Sequence, residues 1–295
     1  MSIMVIAGRG KIGNEVVRGL LARGEVVCVL IRSLEEADAL PSGVKGVLAV
    51  RHKPETLPWA MKGIDRVCLI PSDYTMETEQ DYAIVGAAHQ AGVRHFVYVS
   101  VYGADRAPQV PYFKSKLEIQ KALMDSGMPF TVIMPNNLFQ YDLMYRSAIV
   151  EKKHYPQPIG DIGLNRVDAR DVADAIIVAL TQAGHEFHKY PLVGLEALTG
   201  QDVAEIYSHY LGEEILYTGD LEAWAQDTAN PSSGIISSDL NSIYAFIQSH
   251  GLRANEEDFA SQAKILAHHP RSFHTFARDT ISVWTNTPSD NLLHR

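Results

Sequence analysis

Two short patterns in this 295-residue chain carry residue types that can do chemistry. The first is Tyr112-Phe113-Lys114-Ser115-Lys116, which contains Tyr-x-x-x-Lys. On a helix, positions four apart share a face, so Tyr112 and Lys116 would lie one turn apart. A lysine there favours phenolate electrostatically and can hold a ribose hydroxyl. The tyrosine can then protonate a carbonyl oxygen as hydride arrives. Ser100, twelve residues before Tyr112, can hydrogen-bond the same oxygen. Plainer readings stay open beside these: a solvated Lys116, a packed Tyr112, and a Ser100 that caps a strand end.

The second pattern is Gly8-Arg9-Gly10-Lys11-Ile12-Gly13, which fits G-x-G-x-x-G. It follows an apolar run and opens an amphipathic segment, the context that gives the pattern weight. Gly8 allows a tight turn, Gly10 leaves the backbone bare for a pyrophosphate, and Gly13 lets helix and strand pack closely. The helix beginning at Lys11 and Ile12 supplies unpaired N–H donors and a partial positive charge. Nineteen residues beyond Gly13, Arg32 takes the place at a strand end where an NAD-selective site puts Asp or Glu. A guanidinium cannot accept from a 2′-hydroxyl but can pair with a 2′-phosphate. Arg9 can approach that phosphate from the other side, and Ser33 can donate to it. The expected cofactor is therefore NADP(H). The alternative is that Arg32 is a solvated strand-end residue.

These groups need a scaffold that brings strand ends and helix starts together. Short apolar runs at 3–7, 26–31, 44–50, 66–70, 95–99 and 130–134 read as strands. Helical spacing recurs at 12–21, 53–61, 78–91 and 113–124. Strands of about five residues separated by helices imply parallel pairing, and near-continuous apolar strands imply a sheet covered on both faces. The expected fold is α/β, a doubly wound, Rossmann-like parallel sheet over residues 1–150. Residues 151–295 are expected to form a smaller, mostly helical, substrate-side lobe packed tightly on the sheet. Some of its segments return to that sheet, among them a helix at 169–181, and a strand-like run at 190–193 follows. Further elements are read at 200–211, 214–217, 235–250, 257–268 and 272–284, with a frayed tail after Asn286.

Pro71 follows the fourth strand and Tyr102 the fifth, so both are expected to border the nicotinamide, Tyr102 on the substrate side. Asn136, Asn137, Phe139, Gln140 and Tyr141 follow the sixth strand and are expected to line a substrate pocket. Helix packing is an equally good reading of Phe139.

Composition excludes several classes. Hydrophobic residues make up 46% and charged residues 21%, ordinary for a globular protein. The longest aliphatic stretch is far too short to cross a bilayer, and no secretory leader is evident. A formal net charge of −9 argues against unaided nucleic-acid binding, although a local basic patch stays open. Cys28 and Cys68 sit in apolar runs and read as buried, reduced thiols of a cytoplasmic protein. The run His185-Glu186-Phe187-His188 misses the His-Glu-x-x-His spacing, and His268-His269 lacks a third ligand at recognisable spacing. No metal is expected.

Several segments together carry a family resemblance. They are residues 5–13; Arg32; Gly63-Ile64-Asp65-Arg66-Val67; residues 92–100; residues 112–116; residues 126–135; Val167-Asp168-Ala169-Arg170-Asp171-Val172-Ala173; and residues 272–277. The chain resembles the NmrA-like group of atypical short-chain dehydrogenases/reductases over nearly its whole length. Ser100, Tyr112 and Lys116 resemble the Ser–Tyr–Lys arrangement of the wider superfamily. The resemblance implies NADP(H) binding but is not specific for substrate. Members of the group often retain only the lysine, and some use the site for sensing. There are departures: Ala7 replaces the family's first glycine, Val50-Arg51-His52 replaces a frequent Gly-Asp, and Met134-Pro135-Asn136 replaces Arg-Pro-Gly.

The leading expectation is an NADPH-dependent reductase passing hydride directly to a small aromatic, quinone, azo or conjugated carbonyl acceptor. One alternative is a non-catalytic NADP(H)-binding redox sensor acting through a partner protein. Another is an epimerase- or lyase-like member that uses its nucleotide without net turnover of it. The expected partner of the leading reading is a small-molecule substrate, with neither nucleic acid nor membrane. A homo-oligomer is left open.

Overall fold

The computed structural model describes residues 1–7, 9–71, 77–228 and 237–286. In chain order the strands are β1 (Ser2–Ile6), β2 (Val26–Ile31), β3 (Lys45–Leu48), β4 (Arg66–Leu69), β5 (His95–Val99), β6 (Phe130–Pro135), β7 (His154–Tyr155), β8 (His188–Leu192) and β9 (Leu216–Tyr217). Seven of them build one parallel sheet in the order β3-β2-β1-β4-β5-β6-β8. The inner strands β1, β4, β5 and β6 form where short runs of buried, mostly apolar residues occur, whereas the edge strand β3 is more exposed. The sheet's register pairs Ile3 with Val27 and Arg66, and Phe96 with Phe130. Met4, Val67, Leu69, Phe96, Tyr98 and Val132 are wholly buried in its core. Each such side chain contributes roughly 1.5–3 kcal/mol relative to exposure.

The helices are α1 (Lys11–Ala22), α2 (Glu35–Asp38), α3 (Leu57–Ala60), α4 (Glu77–Gln90), α5 (Pro111–Ser126), α6 (Ala169–Thr181), α7 (Gly200–Leu211), α8 (Leu221–Thr228), α9 (Ser237–His250), α10 (Glu256–Gln262) and α11 (Phe273–Asn286). Helix α5 starts with proline at its first position and stops at Gly127, which takes φ +67°. That asymmetry is the expected one: proline costs nothing where no amide bond is needed, and glycine reaches the left-handed region freely. Among the described residues no helix is long and apolar enough to cross a membrane. Both cysteines are buried and unbridged, and burial pushes the Cys68 thiol up.

The helix expected at 257–268 ends at Gln262. Lys264 and Ile265 bond back three residues, to Ser261 and Gln262, which closes the helix into a turn. Ile265 and Leu266 stay buried past that turn, so apolar spacing outlasts the helix. The segment read at 53–61 is two pieces, a 3-10 turn at Pro54–Thr56 and then α3. The tail after Asn286, and residues 235–236 of the helix read from 235, lie outside the described residues.

Residue contacts gather the chain into two compact units. One comprises Met1–Pro135, Ala169–Leu192 and Glu257–His268, and contains the whole seven-stranded sheet. The other comprises Asn136–Asp168, Val193–Glu256 and His269–Arg295. At the centre of this second unit Arg166 and Asp142 are both wholly buried. All five guanidinium N–H donors of Arg166 find acceptors. Nη1 donates to Asp142 Oδ2 (3.0 Å) and the Tyr155 hydroxyl (3.1 Å). Nη2 donates to Asp142 Oδ1 (2.7 Å) and the Leu138 carbonyl (3.0 Å), and Nε to Asn137 Oδ1 (2.9 Å). The Tyr207 hydroxyl adds a further bond to Asp142 (3.0 Å).

In the first unit, His95 opens β5 with only 2% of its surface exposed. The Thr131 hydroxyl donates to the His185 carbonyl (2.6 Å), so it must accept from His95 Nε2–H (2.9 Å). That leaves Nδ1 buried without a partner. Burial, then the Arg66 charge, pulls the His95 pKa down to about 4 from 6.5. As pH falls, the unfolded chain therefore takes the proton first. The stability this neutral ring confers is complete above pH ~6.5 and is lost between ~6.5 and ~4, with a ceiling of roughly 3 kcal/mol. Urea midpoints should fall across that window in the wild type and fall less in His95→Leu. Parallel slopes for the two proteins would contradict the assignment.

Candidate active site

Because the strands run parallel, the loops after β1, β2, β3, β4 and β5 leave from one edge of the sheet. There a cleft of about 550 Å³ is lined by Ala7, Arg9, Gly10, Arg32, Glu36 and His52, among others. Gly10 is the N-cap of α1; its amide donates to the Ala7 carbonyl (3.1 Å) and its carbonyl accepts from Asn14 (2.9 Å). Among the described residues no side chain caps α1, and its first turn holds no acidic residue. The positive end of the helix dipole thus meets the loop unneutralised. A Cβ on Gly10 would come no nearer to the protein than 3.5 Å, at Ala7 O. Packing does not demand glycine there, whereas a ligand lying against the backbone would. Ala7 turns the chain with φ +64°. The left-handed region costs an L-residue about 1–2 kcal/mol, so the turn is held in spite of its residue.

Lys11 is exposed, whereas Ile12 and Gly13 are buried. Ile12 can therefore serve a ligand only through its backbone. Gly8 lies outside the described residues. Pro71 is half-buried just beyond β4, and the loop after it lies outside the described residues too.

Arg32 leaves the end of β2 with its side chain 80% exposed, and Ser33 beside it is half-buried. One turn on, Glu36 meets the arginine squarely. Oε1 accepts from Arg32 Nη2 (2.8 Å) and Nε (3.1 Å), and Oε2 from the Arg32 amide (2.9 Å). Arg9 Nη1 lies 3.6 Å from the same Oε1. The Arg32 amide first, then its guanidinium, hold the Glu36 carboxyl below the usual carboxylate range. Two guanidiniums from different loops therefore converge on one anion. A carboxylate stands where the sequence reading places a 2′-phosphate, and this donor set fits such a group.

A second cluster lies at the end of β5 and along α5. Tyr112, Lys116 and Gln120 fall at i, i+4 and i+8, one face of the helix. Lys116 is 2% exposed, with Nζ 4.9 Å from the Tyr112 ring centroid, while Tyr112 is half-buried. Ser100, 4% exposed, joins them through Gln120, whose Nε2 donates to Ser100 Oγ (2.8 Å). Lys189 on β8 donates to Gln120 Oε1 (2.8 Å). Burial pushes the Lys189 ammonium down, and Asp105 opposes that. The directions are forced. An ammonium only donates, so the amide oxygen of Gln120 must face Lys189 and its N–H₂ must face Ser100. Ser100 Oγ thus accepts from Gln120, and its own hydrogen is left to point elsewhere.

The residues expected to line a substrate pocket fare differently. Tyr102 is 4% exposed, and its hydroxyl donates to Asp258 Oδ2 (2.6 Å) and accepts from Arg106 (2.6 Å), a structural tie. Phe139 is 2% exposed against Phe273 and Phe276, with ring centroids 5.0 and 5.5 Å away. The packing reading of Phe139 replaces the substrate one, because the ring fills the core of the second unit. Asn136 is buried too; it donates to the Leu252 carbonyl (2.8 Å) and accepts from the Asn137 amide (2.8 Å), bonds that shape the loop. Asn137 is half-buried with its side-chain oxygen held by Arg166. Asp171, Asp174 and His268 offer ligand atoms within 4.8 Å of one another, and His268 Nε2 lies 3.1 Å from Asp174 Oδ2. Of the remaining groups, Glu36 and Gln120 escaped the sequence reading. The signal for each was a further step of four, from Arg32 and from Lys116.

A parallel sheet in this strand order, with a glycine turn closing onto the helix after its first strand, defines a Rossmann-like dinucleotide-binding fold. Residues 1–277 match the model of the NmrA-like family, and the chain belongs to that family. It is 35% identical over 216 residues to an NAD(P)H azoreductase of Xenophilus azovorans, covering 73% of this chain and 76% of that one. It is 32% identical over 220 residues to a (4-alkanoyl-5-oxo-2,5-dihydrofuran-3-yl)methyl phosphate reductase of Streptomyces griseus, covering 73% and 76%. Among solved structures, the triphenylmethane reductase of Citrobacter sp. complexed with NADP(H) superimposes with a TM-score of 0.82 over 95% of this chain and all of that one. At 22% identity that likeness concerns the fold.

Proposed function

We propose that the protein is an NADPH-dependent reductase acting on a small aromatic, quinone, azo or conjugated carbonyl acceptor. The observation that carries this reading is the directed bond from Gln120 to Ser100, on the helix face that also holds Tyr112 and Lys116. The backbone of Gly10, Lys11, Ile12 and Gly13, with Arg9, Arg32, Ser33 and Pro71, would hold the coenzyme. When bound, the coenzyme supplies the hydride. Lys116 holds the nicotinamide ribose and keeps positive charge beside Tyr112. Tyr112 delivers a proton to the oxygen or nitrogen that becomes negative as the acceptor is reduced. Ser100, oriented by Gln120, donates a hydrogen bond to the same atom. Lys189 fixes the amide of Gln120 and acts as a positioning residue.

This reading is supported by the reductases named among the relatives. It entails a small-molecule substrate. The test follows NADPH absorbance with a panel of quinones, azo dyes and enals. Turnover on at least one class is the expected result. Tight nucleotide binding with no turnover on any compound would overturn the reading in favour of a redox sensor.

A further inference from the structure

Resting on the coenzyme reading above, we infer that Glu36 sets coenzyme selectivity, acting as an internal anion that competes with the 2′-phosphate for Arg32 and Arg9. Selectivity at such a cleft is usually carried by one sign of charge at the end of the second strand. This chain carries both signs four residues apart, Arg32 just after β2 and Glu36 in α2. Arg32 presents the fork, and Glu36 Oε1 takes it at 2.8 and 3.1 Å, while Oε2 accepts from the Arg32 amide at 2.9 Å. The Glu36 side chain is only 18% exposed, and its Oε2 is tied to the backbone by the Arg32 amide. Arg32 is 80% exposed and is the partner free to turn outward.

The consequence differs for the two coenzymes. A 2′-phosphate must draw the guanidiniums off a carboxylate they already hold, and must then sit near that carboxylate's charge. Part of what the phosphate gains from the arginines is thereby lost. A 2′-hydroxyl needs none of this. It leaves the Arg32–Glu36 pair intact and can donate to the carboxylate, the task an acidic residue performs in NAD sites. The natural chain should therefore prefer NADPH only modestly and bind NADH appreciably.

The test is titration of NADPH, NADH and 2′,5′-ADP into the full chain by calorimetry, for the wild type, Glu36→Gln and Glu36→Ala. Freeing one charge-assisted partner is expected to tighten NADPH and 2′,5′-ADP about tenfold. NADH should hold steady or weaken, so the ratio of the two dissociation constants shifts by at least that factor. Glu36→Ala covers the case in which the glutamine variant folds poorly. An unchanged ratio, or weaker NADPH binding in both variants, overturns the inference while leaving the coenzyme reading standing. Wild-type protein that binds none of the three removes both. Arg32→Ala calibrates the assay, because it should weaken NADPH far more than NADH.

Discussion

Tyr112→Phe is expected to lower kcat by about 100-fold or more while leaving NADPH affinity within about twofold. General acid catalysis by a positioned side chain supplies typically 10²–10⁴-fold, which sets the scale. The substitution is clean because only the hydroxyl goes. The ring stays beneath Lys116 Nζ, 4.9 Å from its centroid, so the cation keeps its aromatic partner. Any loss should therefore appear in turnover and not in coenzyme binding. Steady-state rates with the best acceptor of the panel, beside a calorimetric Kd for NADPH, read the two quantities separately. An unchanged kcat would leave the reductase but discard Tyr112 as the proton donor. Gln120→Leu offers a graded companion. Without the amide, Ser100 loses its orienting donor, and a smaller fall in kcat is expected, with KM for the coenzyme unmoved.

Asp142→Ala is expected to destabilise the protein by about 3–5 kcal/mol, seen as a drop in urea midpoint and Tm. The buried guanidinium of Arg166 would keep its charge but lose two of its acceptors. The hydroxyl of Tyr207 would lose its partner as well. Asp142→Leu combined with Arg166→Met should recover much of the loss, because replacing both ends of a buried pair by apolar groups is far cheaper than removing one. If the single variant melted like wild type, the pair would carry little of the second unit's stability. Arg166 also holds Asn137 and the Leu138 carbonyl, so the single variant should loosen the loop after β6, measurable as faster amide exchange there.

Much of this was readable in the chain, for physical reasons that differ by element. The run 95–99, apolar after His95, emerges as β5 without a shift at either end. Helix α7 begins where Thr199 and Asp202 form a reciprocal capping box, a signal written in two residues three apart. The glycine turn was legible because position and pattern agreed. The groups that escaped are those whose roles depend on long-range partners. Arg166 reads as a surface charge until the chain brings Asn137, Leu138, Asp142 and Tyr155 around it. Lys189 lies far along the chain from Gln120, and only the β6–β8 pairing puts it within reach. Phe139 follows the expected pocket strand, yet its partners Phe273 and Phe276 come from the last described helix. Nothing local separates such a ring from one facing a ligand.

The chain passes between its two compact units after Pro135, Asp168, Leu192, Glu256 and His268. Neither unit can be excised by a single cut. A fragment ending near residue 150 would lack α6 and β8 and leave β6 as a raw edge open to self-association. Modular exchange, the swap of one lobe for another by recombination at a hinge, is closed to such a thread. New chemistry on this scaffold has to arrive residue by residue, in segments scattered along the gene.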